Sequence, residues 1–410
     1  MGIRVPDLFA VLGYMADLGQ PGGPAHAWRV ATLAHKVAVE ICPEDALEVF
    51  LAGLVHDVGV IGAYKHGTEY KSLAEQKNDP HILSHPRRGS LLVENITGMD
   101  KVSTYIATHH ELCSGKGYPD GISSESLPMG AQVLATADAL DMAGLFVSQA
   151  AVVDRVLRSS KANGLVWSEQ MWEAVARVAL DSDFLRDICL PKSLKERTLS
   201  VLDTTSEDSE PDSDTIVERL FHLIAILVDL KDSNSRGHSL RVANMAREVA
   251  RAMDVSESDS HAIYRAGLVH DCGMLGLSAA LLSKTGRYSD EESRQVRKHA
   301  LLTMDVLNCL PDREELSAIA DIAGRDHERF DGSGYPEGLV GTVIPLGSRI
   351  LAAVDAHDAM LTATNYRLLT PRCAMLRLEQ GTGTQFDPDV VAALTSVVKY
   401  GEDDSSSKAA

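Results

Sequence analysis

The chain has 410 residues, of which 45% are hydrophobic and 24% are charged, and its formal net charge is −19. This composition is typical of a soluble globular protein, and the length allows two or three domains of ordinary size. The negative charge argues against binding to duplex nucleic acid or to an anionic membrane surface, because the long-range field repels both. The negative net charge still allows a small anionic ligand to bind if metals or local basic side chains reverse the electric field inside a cleft.

Cysteine usage and the apolar stretches indicate the compartment. The six cysteines lie far apart and form no C-x-x-C pair, as expected for buried thiols in a reducing compartment. Asp7 and Asp17 interrupt the first twenty residues, so no secretory signal is predicted there. The longest uninterrupted apolar run, 223–228, is too short to span a bilayer. The sequence therefore predicts a cytoplasmic protein with no membrane partner.

Apolar residues recur at helical spacing along the first half of the chain, in the stretches 1–20, 26–41, 47–56, 85–93, 102–110 and 129–142. The fourth of these, 85–93, is predicted to begin a helix at His85-Pro86, after an irregular polar excursion at 60–84. Residues 150–200 are predicted to form two or three closing helices. No stretch alternates with a period of two for long enough to predict a sheet, so the expected fold class is all-α.

Residues 203–214 are acidic, rich in serine and free of apolar side chains, which is typical of a solvated linker. We therefore expect one domain at 1–202, a linker at 203–214, a second domain at 215–400 and a polar tail at 401–410. A strongly apolar helix at 216–230 opens the second domain. Core packing is its main interpretation, and an interface between modules or within a homodimer is the alternative.

One hexapeptide, Ala-Gly-Leu-Val-His-Asp, occurs twice, at 52–57 and at 266–271. Other polar residues repeat in the same order, at an offset of 212 upstream, 214 around the hexapeptide and 217 downstream. The repeated pairs are His26 and His238, His56 and His270, His85 and His299, His110 and His327, Tyr118 and Tyr335, and Asp138 and Asp355. The protein is therefore a tandem duplication of one His/Asp-rich module.

Each module supplies an ordered set of imidazoles and carboxylates. The first set is His26, His56, Asp57, His85, His109, His110 and Asp138, and the second is His238, His270, Asp271, His299, Asp326, His327 and Asp355. Seven nitrogen and oxygen ligands exceed the need of one tetrahedral zinc, whereas two metals that share the central aspartate would use them. A lone histidine is usually a satisfied core residue, but burying a repeated set of this size without metal would be costly.

The motif His-Asp-x-Gly at 56–59 and 270–273, followed by Gly-Tyr-Pro at 117–119 and 334–336, resembles the HD-GYP branch of the HD phosphohydrolase superfamily. The resemblance covers nearly the whole second module but only the ligand positions, the loop and the helix around Asp138 in the first. It implies two tandem all-helical HD-domain bundles that hydrolyse a cyclic dinucleotide second messenger. Tandem members of this kind imply 3′,3′-cyclic GMP-AMP or cyclic di-GMP as the substrate and its linear dinucleotide as the product.

Several positions depart from the family pattern. Val60 and Met274 stand where the family often has a lysine, and Asp326 replaces the first histidine of His-His-Glu, a change that a hard metal tolerates. Gly22 and Asn234 stand where three-metal relatives carry a carboxylate. The resemblance therefore implies two divalent transition metals per occupied site, iron or manganese, with nickel, cobalt or zinc as alternatives.

The resemblance also implies roles for individual residues. The catalytic residues would be Asp271, His270 and Asp57, and the substrate contacts would be Lys284, Gly334, Tyr335 and Arg367. Because these substrate contacts lie in the second module, we predict that it is the main catalytic unit and that the first module supports or regulates it. Two alternatives stay open: a nucleotidase that acts on another nucleotide, and a metal- and nucleotide-binding sensor, which the missing lysine favours.

Overall fold

The computed structural model describes residues 2–19, 25–61, 78–112, 114–123, 126–142, 169–205, 213–231, 236–284, 286–362 and 368–407. The chain divides into two units, Arg4–Val217 and Glu218–Ala410, and the second unit includes Met1–Ile3. Within the described ranges, β-type pairing is limited to the isolated bridges Ser114–Ser123, Asp331–Val340 and Thr382–Phe386. The predicted all-α class is confirmed.

In the described residues, the first module consists of helices. In chain order they are α1 (Val5–Ala16), α2 (His26–Ile41), α3 (Ala46–Val55), α4 (Pro80–Val93), α5 (Asp100–Thr108), α6 (Met129–Met142), α7 (Glu169–Leu180), α8 (Ser182–Cys189) and α9 (Pro191–Leu202). A 3-10 turn at Val58–Val60 follows α3. The predicted closing helices at 150–200 are described only from residue 169 onward.

The second module repeats this order. Its helices are α10 (Ser213–Lys231), α11 (His238–Ala252), α12 (Glu257–Val269), α13 (Ala279–Leu282), α14 (Asp290–Leu307), α15 (Glu314–Ala323), α16 (Leu346–Thr362), α17 (Pro371–Gln380) and α18 (Pro388–Ser407). A 3-10 turn at Cys272–Gly276 follows α12, as one follows α3 in the first module. The helix α18 extends through most of the segment that we expected to be a polar tail.

Two packed helices form the centre of each module. In the first, α2 contacts α3 and α6, and α3 also contacts α1 and α5. In the second, α11 contacts α12 and α16, and α12 contacts α15. The apolar faces meet in a core in which Phe9, Phe50, Leu54 and Leu134 are fully buried. Burying one such side chain contributes roughly 1.5–3 kcal/mol, so the core holds the ends of α3 and α12, where the His-Asp pairs follow, in fixed positions.

The helix α4 begins earlier than the sequence indicated. It starts at Pro80, because the side chain of Asp79 caps it by accepting a hydrogen bond from the backbone N–H of His81. Pro86 consequently lies inside the helix, where it has no N–H for the carbonyl of Ile82. The Nδ1 of His85 donates to that carbonyl at 2.6 Å instead. The prediction that His85-Pro86 starts the helix was therefore wrong, because the cap lies within the polar excursion.

The apolar helix predicted at 216–230 is present as α10, in which Leu220, Phe221 and Ile224 are buried, whereas Leu230 is exposed. Shifted by 212 positions, it is the counterpart of α1. One hydrogen bond near the end of these helices is also shared by the two modules. Asp17 accepts from the backbone N–H of Ala27 at 2.8 Å, and Asp229, 212 positions later, accepts from that of Ser239 at 3.3 Å. Residues 206–212 of the expected linker lie outside the described ranges.

The glycine of each His-Asp-x-Gly motif lies where two backbones touch. A Cβ on Gly59 would collide with the carbonyl oxygen of His85, and a Cβ on Gly273 would collide with that of His299. Only glycine allows the turn after the His-Asp pair to pack directly on the helix that carries the next histidine. Among the described helices, none combines the length and apolarity that a membrane crossing requires.

Candidate metal centres and the adjoining pocket

Asp57 lies between two groups of imidazoles in the first module. Its Oδ2 is 3.8 Å from Nε2 of His26 and 3.8 Å from Nε2 of His56. Its Oδ1 is 3.2 Å from Nε2 of His85 and 3.9 Å from Nε2 of His109. One carboxylate therefore presents a different oxygen to each group, which is the arrangement that a bridge between two cations requires.

Asp138 and His110 complete the set of the first module. Asp138 Oδ1 is 3.4 Å from Nε2 of His26 and 3.8 Å from Nε2 of His56, and its Oδ2 is 3.9 Å from Nδ1 of His110. Two groups share one residue and have ligand atoms within 4.8 Å of one another: His26, His56 and Asp57, and Asp57, His85, His109 and His110. The fold thus brings together all the residues predicted as ligands in this module.

The second module forms the corresponding pair of groups. Ligand atoms lie within 4.8 Å of one another in His238, His270 and Asp355, and again in Asp271, His299 and His327. Asp271 Oδ2 is 3.5 Å from Nε2 of His270, and its Oδ1 is 3.6 Å from Nε2 of His299. Asp355 Oδ1 is 3.2 Å from Nε2 of His238. Asp271 therefore occupies the bridging position that Asp57 has in the first module.

Asp326 lies beside these groups but outside the 4.8 Å sets. Its Oδ2 is 3.8 Å from Nε2 of His327, whereas the equivalent His109 places its Nε2 3.1 Å from Nε2 of His85. Asp326 is buried, and neither carboxylate oxygen has a hydrogen-bond partner among the described residues. Burial raises the pKa of Asp326 to about 7, so this carboxylate is poised to accept a cation or a proton.

A second carboxylate orients the first histidine of each set. His238 Nδ1 donates to Asp358 at 2.8 Å, and Arg241 Nε donates to the same carboxylate at 2.7 Å. This fixes the tautomer with the Nε2 lone pair directed at the centre. The first module repeats the arrangement with His26, Asp141 and Arg29. Neither acid was predicted from the sequence, although Asp141 and Asp358 share the offset of 217 with Asp138 and Asp355.

Backbone carbonyls orient the other histidines. In the first module, Nδ1 of His56, His85 and His109 donates to the carbonyl three residues earlier, at 2.9, 2.6 and 2.6 Å. In the second, His270 and His299 do the same at 2.9 and 2.7 Å. Each of these rings consequently turns Nε2 toward the carboxylates. The helical backbone thus preorganises the ligands without further side chains.

The donor sets fit divalent transition metals. The Nε2 atoms of His56 and His270 are buried and have no hydrogen-bond partner among the described residues, as expected of nitrogens that hold a cation. Burial and the neighbouring imidazoles of His85 and His56 lower the pKa of His109 well below its ordinary value, which keeps the ring neutral, as a ligand must be. Burial alone would lower the pKa of His238, but Asp355 and Asp358 raise it to about 11. Without a metal the ring of His238 is therefore protonated, and a bound metal would displace the proton from its Nε2.

A buried glutamate fixes the Gly-Tyr-Pro loop of each module. Glu328 accepts hydrogen bonds from the backbone N–H groups of Glu337, Gly338 and Leu339, at 2.6 to 3.0 Å. In the first module Glu111 does the same for Asp120, Gly121 and Ile122. No role was predicted for these glutamates from the sequence, although each directly follows a predicted ligand histidine.

The tyrosine of each loop contacts a ligand. The ring of Tyr335 stacks on His327 with 4.9 Å between centroids and 24° between planes. The ring of Tyr118 stacks on His110 at 4.7 Å and 26°. Both tyrosines precede a cis proline. The loop that the glutamate fixes therefore places an aromatic wall directly against the metal-ligand set.

A pocket of about 230 Å³ lies beside the second set. Its lining residues are Arg297, Asp326, His327, Glu328, Arg329, Ser333, Gly334, Tyr335, Ala352, Asp355, Ala356, Gln385 and Phe386. It thus includes Gly334 and Tyr335, which we predicted as substrate contacts. Lys284 is not among them, and its Nζ pairs with Glu292 at 2.6 Å. Arg367, the fourth predicted contact, lies outside the described residues.

A sequence profile described as "HD domain" matches residues 13–150 and 222–390 of the chain. The chain belongs to the HD-domain family. The profile matches each module once, in agreement with the duplication seen in the sequence.

Curated relatives and a solved structure extend the comparison. The 3′3′-cGAMP-specific phosphodiesterase 3 of Vibrio cholerae is 29% identical over 309 residues, 75% of this chain and 65% of that protein. The cyclic di-GMP phosphodiesterase response regulator RpfG of Xanthomonas campestris is 33% identical over 208 residues, 50% of this chain and 53% of that protein. The chain thus spans less than two thirds of these two relatives.

The crystal structure of a cyclic GMP-AMP specific phosphodiesterase of V. cholerae (V-cGAP3) superimposes with a TM-score of 0.68. The alignment covers 97% of this chain and 98% of that one at 21% identity. At this identity the superposition shows a shared fold, and it covers both modules. The resemblance to tandem HD-GYP proteins is confirmed at the level of the fold.

Proposed function

We propose that the protein is a metal-dependent phosphodiesterase that hydrolyses a cyclic dinucleotide, 3′,3′-cyclic GMP-AMP or cyclic di-GMP, to the linear dinucleotide. The observation that carries the proposal is the pocket of the second module, which is lined at once by the ligands Asp355 and His327 and by the loop residues Gly334 and Tyr335. A phosphate in this pocket would lie against the metal-ligand set. The names of the relatives support the same substrate class.

The roles of the residues follow from the geometry. Two divalent metals, when bound, supply Lewis acidity at a phosphate oxygen and an activated water molecule. His270 would hold one of the two metals, and Asp271, whose Oδ2 faces His270 and whose Oδ1 faces His299, would contribute to holding both. Tyr335 forms the wall beside them, and Glu328 holds the loop that carries this wall. The chain therefore contributes mainly positioning of the diester against the cations.

We propose that the second module is the catalytic unit and that the first has a supporting or regulatory role. The carboxylates of the second set are more accessible, with side-chain exposures of 19% for Asp271 and 24% for Asp355. The equivalent exposures in the first set are 6% for Asp57 and 9% for Asp138. A substrate as large as a cyclic dinucleotide needs the more open set.

Turnover assays test the proposal against its two rivals. Protein purified anaerobically and loaded with manganese or iron should hydrolyse cyclic GMP-AMP or cyclic di-GMP, and bis-p-nitrophenyl phosphate more slowly. Binding of a cyclic dinucleotide without any turnover would favour a sensor, in line with Met274 at the position of the family lysine. Turnover of mononucleotides alone would favour a nucleotidase.

Metal content and association are separate proposals. We propose about two iron or manganese ions per occupied set, because each set offers nitrogen and oxygen donors on both sides of one aspartate. Elemental analysis of anaerobically purified protein measures this directly. We also propose a homodimer that pairs through the exposed apolar residues Ile226 and Leu230 of α10, which sedimentation equilibrium of the wild type and of an Ile226→Asp variant would test.

A further inference from the structure

The pocket of the second module contains two arginines that the sequence analysis did not single out. Arg297 projects from α14, and Arg329 precedes the Gly-Tyr-Pro loop. Among the described residues that line the pocket, they alone carry a permanent positive charge. Of the acidic lining residues, Asp355 belongs to the ligand set and Glu328 holds the loop, while Asp326 lies buried beside the ligand set. The arginines therefore make one side of the pocket suited to an anion.

Contacts within the loop fix the position of Arg297. Its Cζ lies 5.1 Å from the centroid of the Tyr335 ring, and the same ring stacks on the metal ligand His327. A guanidinium on an aromatic ring keeps its hydrogen-bond donors available at the edge of the stack. The ring of Tyr335 therefore contacts both the guanidinium of Arg297 and the imidazole of His327, so the positive charge of Arg297 lies near the metal ligands.

Arg329 is held from the other direction. Its Nε donates to Oγ of Ser333 at 2.9 Å, and Ser333 Oγ donates to Asp331 at 2.6 Å. The terminal amino groups of Arg329 make no hydrogen bond to a described residue. Its Nε also lies 3.6 Å from Oδ1 of Asp331, so the two terminal amino groups are the donors left for bidentate contact with a phosphate.

The first module provides an internal comparison. At the offset of 214 that relates His85 to His299, the counterpart of Arg297 is Leu83, and at the offset of 217 the counterpart of Arg329 is Leu112. All metal-ligand positions except one, His109 in the first module and Asp326 in the second, carry the same residue in both modules, whereas neither arginine is shared. The pair therefore serves something that the second module does and the first does not, and holding the metals is not that function.

We propose that Arg297 and Arg329 bind the second phosphate of the cyclic dinucleotide, the one that is not being cleaved. The inference rests on the proposed function. A cyclic dinucleotide carries two singly charged diester phosphates, so when one lies against the metal set, the other needs a positive partner of its own. A protein with a net charge of −19 supplies that partner only locally. The two arginines would thereby select dinucleotides over substrates with a single phosphate.

The test replaces each arginine with the residue that the first module has. Arg297→Leu and Arg329→Leu should each lower kcat/KM for cyclic GMP-AMP about tenfold or more, chiefly through KM. For bis-p-nitrophenyl phosphate, which has one phosphate, the loss should be at least about tenfold smaller. Arg297→Lys should recover part of the loss, because it retains the charge. Arg294→Leu is the matched control, because Arg294 lies on the same helix but pairs with Glu291 outside the pocket. It should leave kcat/KM unchanged for both substrates.

A binding measurement separates this inference from the proposed function. Calorimetric titration of the manganese-loaded protein with the hydrolysis-resistant bis-phosphorothioate analogue of cyclic GMP-AMP should give a Kd that both leucine variants raise and Arg294→Leu leaves alone. If this holds but the wild type hydrolyses no diester, the proposed function fails and the phosphate site stands. The inference is overturned if the leucine variants bind the analogue with the same Kd as Arg294→Leu. It is also overturned if their kcat/KM falls by the same factor for both substrates.

Discussion

Asp358 accepts a hydrogen bond from Nδ1 of His238 at 2.8 Å, and this contact sets the direction of a metal-binding lone pair. Loss of such an outer carboxylate typically lowers metal affinity about 10–100-fold. We expect Asp358→Asn to weaken metal retention by the second module to this extent. Arg241, which is 42% exposed, can turn to solvent, so the fold should survive. Metal per chain after dialysis against graded chelator measures the effect, with Asp141→Asn as the matched variant in the first module. Retention equal to wild type in both variants would show that the carboxylates do not support the ligands.

The two bridging aspartates should differ in their effect on turnover. Replacing His270 and Asp271 together by alanine should reduce hydrolysis of cyclic dinucleotides by about a thousandfold or more, because both metal positions lose a ligand. The same change at His56 and Asp57 should leave a measurable part of the activity. Steady-state kinetics on both double variants, with circular dichroism to confirm folding, distinguish the modules. The opposite pattern would assign catalysis to the first module.

Glu328 should stabilise the loop more than the module as a whole. Hydrogen bonds to a charged acceptor contribute about 1.5–3 kcal/mol each, and Glu328→Gln weakens three of them. We expect faster hydrogen exchange at the amides of 337–339 and a higher KM for the cyclic dinucleotide. Glu111→Gln should accelerate exchange at 120–122 with a smaller effect on activity. Unchanged exchange at 337–339 would mean that the loop is held by other contacts.

Asp326→His should strengthen metal binding by the second module. The equivalent His109 brings its Nε2 3.1 Å from Nε2 of His85, whereas the carboxylate of Asp326 falls short of the corresponding set. An imidazole at 326 should therefore add a ligand and slow metal loss to chelator. Release kinetics followed with a metal-sensitive dye measure this change, with Asp326→Asn as the control of similar size. Faster release from the histidine variant than from the asparagine variant would contradict the expected geometry.

The metal ligands were predictable because the chain contains the same ordered set of histidines and aspartates twice, once in each module. A histidine such as His56 alone carries little information, but its repetition at a constant offset separates it from an ordinary core residue. The same repetition also contained Asp141 and Asp358, yet their role depends on contact with an imidazole 115 or 120 residues away in sequence. That distance in sequence is closed only by the packing of α2 on α6 and of α11 on α16.

The substrate side of the pocket was less predictable. Lys284 was predicted as a substrate contact from the family resemblance, but its ammonium group forms an ion pair with Glu292 instead. Arg297 matched no motif, because its importance comes from the ring of Tyr335, 38 residues further along the chain. Helix starts defined by one capping side chain, as at Asp79, were also misplaced, since a polar segment gives several residues that could cap.

The repeat has a consequence for how the modules could be recombined. The segment from His56 to His85 is as long as that from His270 to His299. The segment from His110 to Asp138 is likewise as long as that from His327 to Asp355. The two modules differ in length only outside these segments. Each segment begins and ends at a metal-ligand position, and Arg297 and Arg329 lie inside them. Both segments can therefore be grafted from the second module onto the first without changing the spacing of the ligands, and the graft would carry the arginine pair to a metal set that has leucines there.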